Sequence, residues 1–485
     1  MKGGPASLFI AFTFWCAVIL CVNNSMSEMV TYLPITSPFI RFAGRFVDES
    51  FGVAAGWNFF IFEAAMVPFE IVACTQILGY WGTSEVLPDS AVIAICIVLY
   101  ALINMVMVKF YGESEFWLAL GKLLLIIGLI AFTFITMVGG NPHRDVYGFR
   151  YWKNPGAFAE YYATGDLGRF MGFIACLIQA SFTIAGPDYV AISAGEAENA
   201  RVTMPRAFKA VFYRLTSFFV LGSLAVGIVV PHNDPAMKAA FLEGLPGAAA
   251  SPYVVAMDRL QIRILPHIVN ALILTSAFSA GNSYVYCASR CLYGLALDGQ
   301  APKLFARCTR NGVPVYAVLL VLGIALLSFL QVSNSAAVVL SWFVSLVTAS
   351  QLINFSVMSV TYLFFLRALK AQGISRDSLP HKAWGQPYTT YFALVCTVVM
   401  CFVGGYEVFL PGNWDVPTFL FGYTMIAVFP AVYFGWKWTK MPKVPKAEDV
   451  NVFREEKEQI DEYQATYVPE PPANAVIKYW DKVFG

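Results

Sequence analysis

Glu63, Glu70, Lys122 and Asp188 are ionisable residues set inside long apolar runs, and their surroundings say what work they could do. A charge at hydrocarbon depth is costly, so it is expected to face protein or water and to serve a purpose. Asp188 belongs to Gly186-Pro187-Asp188, deep in the apolar run 170–192. Pro187 removes a backbone donor and its ring clashes with the preceding turn, so the helix is predicted to break there. Gly186 permits backbone angles that other residues avoid. Backbone groups freed in a bilayer are tolerated only where they are buried in protein or line a cavity. A broken helix carrying a carboxylate at the break therefore marks a solute site in a membrane carrier. The competing reading is a kinked helix whose polar groups only pack. Gln179, Thr183 and Gly186 are spaced by four and three, so they share a face leading to the break, with Ala185 beside them. Solute contact along 183–188 and polar helix packing both account for that face.

Glu63 and Glu70 lie seven residues apart, two helical turns, and so on one face. Glu70, in Val67-Pro-Phe-Glu70, is the better candidate for handling a proton, since a structural hydrogen bond would suffice to explain Glu63. Lys122 lies about two turns inside its apolar run. Either its ammonium snorkels to the interface, or it is a positive charge standing in a cation site. Ser276 and Ser279, in Ser276-Ala-Phe-Ser-Ala-Gly-Asn-Ser283, permit close helix approach or solute contact, and packing is the reading favoured for most of that stretch.

The elements that hold these residues must cross a membrane. Hydrophobic residues make up 58% of the 485, charged residues 13%, and the mean hydropathy is +0.62. That composition describes an all-α polytopic membrane protein. A net charge of +1 argues against a nucleic-acid partner. The ten cysteines are scattered, and Cys287 and Cys291 have no histidine near them in sequence, so neither a metal site nor a cofactor is expected. No nucleophile–base pair and no nucleotide-binding motif is visible, which disfavours an enzyme or an ATP-driven pump.

Apolar runs of roughly twenty residues predict about eleven spans, at 7–27, 51–80, 90–108, 116–138, 170–192, 211–231, 264–286, 314–332, 336–365, 387–409 and 416–437. Connections 141–169 and 232–263 read as long outer loops. The segment 439–485 reads as a solvated cytoplasmic tail around Glu455-Glu456-Lys457-Glu458, without a folded domain. Lys and Arg concentrate in alternate connections, among them Arg201, Arg206 and Lys209, then Arg290, Lys303 and Arg307, and then Lys437, Lys440 and Lys443. The excess of positive charge places those connections and the C-terminus in the cytoplasm. Eleven spans would then leave Met1 outside.

The stretch Ala194-Gly-Glu-Ala-Glu-Asn-Ala-Arg-Val-Thr-Met-Pro-Arg-Ala-Phe-Lys209 resembles the fungal amino-acid permeases of the amino acid–polyamine–organocation superfamily. So do Gly44-Arg-Phe-Val-Asp48, Tyr111-Gly-Glu-Ser-Glu-Phe-Trp117 and Ser289-Arg-Cys-Leu-Tyr-Gly-Leu-Ala-Leu-Asp-Gly-Gln-Ala-Pro302. The resemblance implies a LeuT-like bundle of twelve spans, ten of them in two inverted five-helix repeats, and secondary, usually proton-coupled uptake at the plasma membrane. It puts Gly186 and Asp188 on the unwound part of the family's sixth helix, where the usual acid is Glu, and Lys122 on the fifth, where some proton-coupled relatives place an amine in a sodium site.

Gly3-Gly4-Pro5-Ala6 resembles the junction between the family's first and second helices. The expected permease domain, 1–438, therefore lacks the first family helix. On that expectation the sequence is either an incomplete reading of its gene or that of a protein that has lost transport.

The leading expectation is an amino-acid permease working by alternating access, with Thr183, Ala185, Gly186, Asp188, Ser276 and Ser279 at the solute and Glu70, Asp188 and Lys122 as proton-coupling groups. A transporter-like nutrient sensor is the alternative, as is a carnitine or polyamine permease of the same family.

Overall fold

The computed structural model describes residues 2–35, 37–82, 86–106, 108–195, 197–238, 251–310 and 312–452, with Ile460, Glu462, Tyr463 and Thr466. For 108–116, 193 and 337 only the backbone is described. The acidic run Glu455–Glu458 and part of the second long loop, 239–250, lie outside the described residues.

Helices form where the apolar runs predict them. In chain order they are α1 (Gly4–Tyr32), the short α2 (Pro38–Phe42), α3 (Glu49–Leu78), α4 (Asp89–Met105), α5 (Val108–Met137), α6 (Gly165–Thr183), α7 (Pro187–Ile192), α8 (Ala200–Arg214), α9 (Leu221–Val229), α10 (Pro252–Arg259), α11 (Leu265–Leu297), α12 (Val315–Ala325), α13 (Ala336–Ala371), α14 (Tyr388–Val403) and α15 (Val416–Lys440). No strand occurs among the described residues. Among the described residues, eight helical stretches are long and apolar enough to cross a membrane, counting α6 to α7 and α8 to α9 as one each. The shorter apolar helices α4 and α14, and the 33-residue α11, occupy the other three expected positions.

α1 runs through the middle of the bundle against α6, α8, α9, α13 and α14. Its 29 residues exceed the predicted 7–27 because the polar end at Asn23 and Glu28 finds partners inside the protein. Asn23 donates to the Phe208 carbonyl at 3.1 Å. At the other end Gly3 and Gly172 bring two backbones together: a Cβ on Gly3 would lie 2.3 Å from the Gly172 carbonyl oxygen. α3 packs along α11, α13 and α15. Asp48 caps α3 by accepting from the Phe51 amide at 2.7 Å, and its other oxygen binds Lys437 at 2.8 Å and Tyr433 at 3.0 Å.

Two expectations need correction. Residues 232–263 are not all loop: Tyr253-Val-Val-Ala-Met257 lies on helix α10 and is buried, and Arg259 donates to the Val229 carbonyl. An apolar run of that length hides its surface best by coiling against neighbours. Nor is the whole tail solvated. Val450 and Val452 are buried in the main core, and Gln372 Nε2 donates to the Ala447 carbonyl at 3.2 Å and the Val450 carbonyl at 2.6 Å.

Candidate functional site

The predicted break is present. α6 ends at Thr183, residues 184–186 are non-helical, and Pro187 opens α7. Because proline lacks a backbone N–H and presets φ, it suits the first turn of a helix, so the chain stops before Pro187 and starts again on it. Thr183 is exposed; its hydroxyl donates to the Gln179 carbonyl at 2.8 Å and accepts from Gln179 Nε2 at 3.3 Å. Ala185 is half-buried and Gly186 buried. Asp188, one residue into α7, is 0% exposed. Backbone amides at the start of α7 face its carboxylate, yet no hydrogen bond closes on either oxygen.

Three further groups surround Asp188. Glu63 on α3 is also 0% exposed, with both oxygens unpartnered, and lies within electrostatic reach of Asp188. The Tyr189 hydroxyl is buried and lies within electrostatic reach of Glu63, Asp188 and Tyr284. Arg214, the last residue of α8, reaches the break: its Nη2 lies 2.8 Å from where a Cβ on Gly186 would stand, and it acts electrostatically on Asp188. Buried carboxylates without closed hydrogen bonds are expensive, so Asp188 beside Arg214, with Glu63 in electrostatic reach, is suited to receive a ligand or a proton.

Glu70, Lys122 and Ser279 meet at a second place. Lys122 Nζ donates to Ser279 Oγ at 3.0 Å, joining α5 to α11, and acts electrostatically on Glu70. The half-buried ammonium is turned toward α11. Gly281 makes the approach possible, since a Cβ there would stand 2.2 Å from the Tyr100 hydroxyl and 3.1 Å from the Glu70 Cβ. Ser276 is half-buried one turn before Ser279, on the same face of α11. Asn104 Nδ2 donates to Asn282 Oδ1 at 2.8 Å, so this part of the serine-rich stretch does pack. Tyr284 on α11 lies within electrostatic reach of both Glu63 and Glu70 and so connects the two places.

Sequence reasoning singled out Asp188, Glu70, Lys122 and Ser279, which the structure places at these two points of the bundle, ranked Glu63 below Glu70, and did not name Arg214. The signal for Arg214 was an arginine four residues into the run 211–231, which deserved the same attention as the acids. Among the described residues no cluster of three or more His, Cys, Asp or Glu could hold a metal ion.

The amino acid permease family profile matches residues 1–448. The general amino acid permease AGP2 of Saccharomyces cerevisiae is 51% identical over 445 residues, covering 90% of this chain and 74% of that protein. A proline-specific permease of Emericella nidulans is 40% identical over 487 residues, covering 99% and 87%. Among solved structures, a manganese transporter of Eremococcus coleocola aligns with a TM-score of 0.49 and 11% identity over 91% of this chain and 92% of that one. A profile that runs through every spanning helix, and relatives of this identity over almost the full chain, make this integral membrane protein a transporter of the amino acid permease family and not an enzyme.

Proposed function

We propose that the chain carries an amino acid across the plasma membrane by alternating access, coupled to protons, with the solute docked at the α6–α7 break in an inverted-repeat bundle. The observation that carries this reading is the unpartnered Asp188 carboxylate beside Arg214 at the break. The pair offers an acceptor for an ammonium group and a donor fork for a carboxylate, and a guanidinium suits that fork geometry. Thr183, Ala185 and Gly186 form the wall, with Ser276 and Ser279 on α11 contributing from the other side. Glu70 and Lys122 form the coupling pair, because protonating a carboxylate beside an ammonium changes the balance between conformations only through their differential affinity for the proton. The Lys and Arg distribution supports a cytoplasmic C-terminus.

Uptake of a radiolabelled amino-acid mixture by cells expressing the full-length protein tests the reading. Asp188→Asn is expected to abolish or severely weaken it, and near-normal uptake would remove Asp188 from the site.

A sensor reading has its own support in the tail. Ile460 and Tyr463 line a cavity of about 200 Å³ together with Ala194, Gly195 and Asn199, in the segment that follows α7. A tail held there is placed to respond to the break. Loss of signalling on tail removal, with no flux by the chain at any stage, would favour it.

A further inference from the structure

Gly281, in the middle of α11, brings two side chains together that no bond joins. A Cβ at this position would stand 2.2 Å from the Tyr100 hydroxyl and 3.1 Å from the Glu70 Cβ. A glycine on α11 therefore lets α4 and α3 present a phenol and a carboxylate to one spot. The Tyr100 ring is set there against Phe278, with centroids 4.9 Å apart. Tyr100 is 0% exposed, yet its hydroxyl closes no hydrogen bond. A buried phenol usually finds a partner, and leaving it without one costs free energy. The carboxyl carbon of Glu70 lies two bonds beyond its Cβ, so side-chain rotation alone can carry the carboxylate to that hydroxyl.

The groups that face Glu70 can be named element by element. Lys122 faces it from α5, Tyr284 from α11 and Tyr100 from α4; Cys74 stands one turn on along α3, with Cys96 of α4 beside it. From α6, Phe182 meets Phe69 ring to ring at 5.5 Å and brings no charge. Elsewhere on the helices packed against α3, the described charged groups are engaged or exposed. Tyr316 of α12 and Arg367 and Lys370 of α13 are exposed, Tyr362 of α13 stands by Glu28, and Tyr433 and Lys437 of α15 meet Asp48. The Lys122 ammonium is also tied to Ser279 at 3.0 Å. Glu70 thus has an ammonium on one helix and a phenol with an open donor on another.

We propose that Tyr100 is a positioning residue for the coupling carboxylate: its hydroxyl is the second partner of Glu70, donating to the ionised carboxylate when that swings away from Lys122. This rests on the transport reading above and on Glu70 and Lys122 as its coupling pair. One proton is taken from the outer water onto the Glu70 carboxylate and released from it to the inner water, and Tyr100 keeps its own throughout. A hydrogen bond to the charged form favours that form. Tyr100 therefore helps Glu70 give up its proton, and it limits how far uptake extends toward alkaline pH. A tyrosine present only for packing has no such link to the proton.

The test uses the purified full-length protein in liposomes, with the inner pH fixed, the outer pH varied and a radiolabelled amino-acid mixture as the probe. Wild-type uptake is expected to fall as the outer pH rises. Tyr100→Phe keeps the ring and removes the donor, so Glu70 should hold its proton to higher pH and the midpoint of that fall should move up by roughly one pH unit. Should Tyr100→Phe not give a monodisperse protein, Gly281→Ala takes its place. Its methyl group would displace the hydroxyl and should move the midpoint the same way. A midpoint that stays or moves down in the variant measured would overturn the role of Tyr100 and leave the coupling pair standing. Loss of rate by the same factor at every pH, with the midpoint unmoved, would show packing alone and overturn it too. Wild-type uptake that ignores the outer pH would overturn the coupling pair, and Tyr100 with it. No uptake by the folded wild type would overturn the transport reading itself.

Discussion

Glu28 and Asp188 are both fully buried carboxylates in apolar surroundings, and the protein treats them in opposite ways. Glu28 is saturated. Arg376 Nε donates to Oε1 at 2.7 Å and Nη2 to Oε2 at 2.8 Å, and the Ala383 amide adds a third bond at 3.0 Å. The pair ties the end of α1 to the connection between α13 and α14, where Gln386, Ser25 and Thr390 continue the network. Asp188 has a guanidinium nearby but no closed bond, and a second bare carboxylate, Glu63, in reach. A satisfied buried charge holds helices together. An unsatisfied one leaves its interaction free energy for a ligand or a proton, which is the difference between a fastening and a site.

That contrast breaks most visibly at Arg376. Arg376→Ala leaves Glu28 buried without its counter-charge, held only by the Ala383 amide, and should cost about 3–5 kcal/mol, read as a large fall in thermal stability in detergent. The double change Glu28→Leu with Arg376→Met should recover much of that loss, since a well-packed apolar pair can replace a buried ion pair.

Asp188→Asn should behave the other way round. Removing a carboxylate that closes no hydrogen bond should lower thermal stability far less than Arg376→Ala does, while uptake falls by about a hundredfold or more, as expected when one member of a buried charge pair is lost. A fall in stability as large as that for Arg376→Ala would show Asp188 to be a second fastening and erase the distinction.

Smaller effects sharpen the same comparison. Ser279→Ala removes one hydrogen bond from the Lys122 ammonium, a change of about 1–2 kcal/mol, and should slow uptake several-fold with little loss of stability. Val450→Asp puts a carboxylate where the tail packs into the core. It should release residues 441–452 to added protease at an overall cost of roughly 1 kcal/mol.

The smallest effect belongs to an exposed ion pair. Arg150 donates to both oxygens of Asp145, at 2.8 and 2.6 Å, and this holds the Asp145 carboxyl below its usual range. Because the folded value is depressed, the contribution is present at neutral pH and is lost as the pH falls through that folded value. Limited proteolysis of the 141–169 connection should therefore quicken only on acidification, and Asp145→Asn should remove that pH dependence.

The positions of the spanning helices were legible because twenty apolar residues in a row have few other places to go. The break was legible too, since Gly186-Pro187-Asp188 disrupts a helix by covalent chemistry that acts wherever the chain lies. Tail docking and helix α10 were not. Val450, Val452 and Tyr253-Val-Val-Ala-Met257 are too short as apolar runs to declare a partner, and burial depends on surfaces brought from elsewhere in the chain.

The same division runs through the site. Sequence alone determined which residues carry charge inside the membrane, because hydropathy and residue type are local properties. Whether each charge is fastened or free was decided only by the tertiary structure. Arg376 reaches Glu28 from 348 residues away, while Glu63 and Asp188 meet across two helices with nothing closing on them. Pairing of that kind depends on distances of a few ångströms between elements remote in the chain, and no pattern within one helix encodes them.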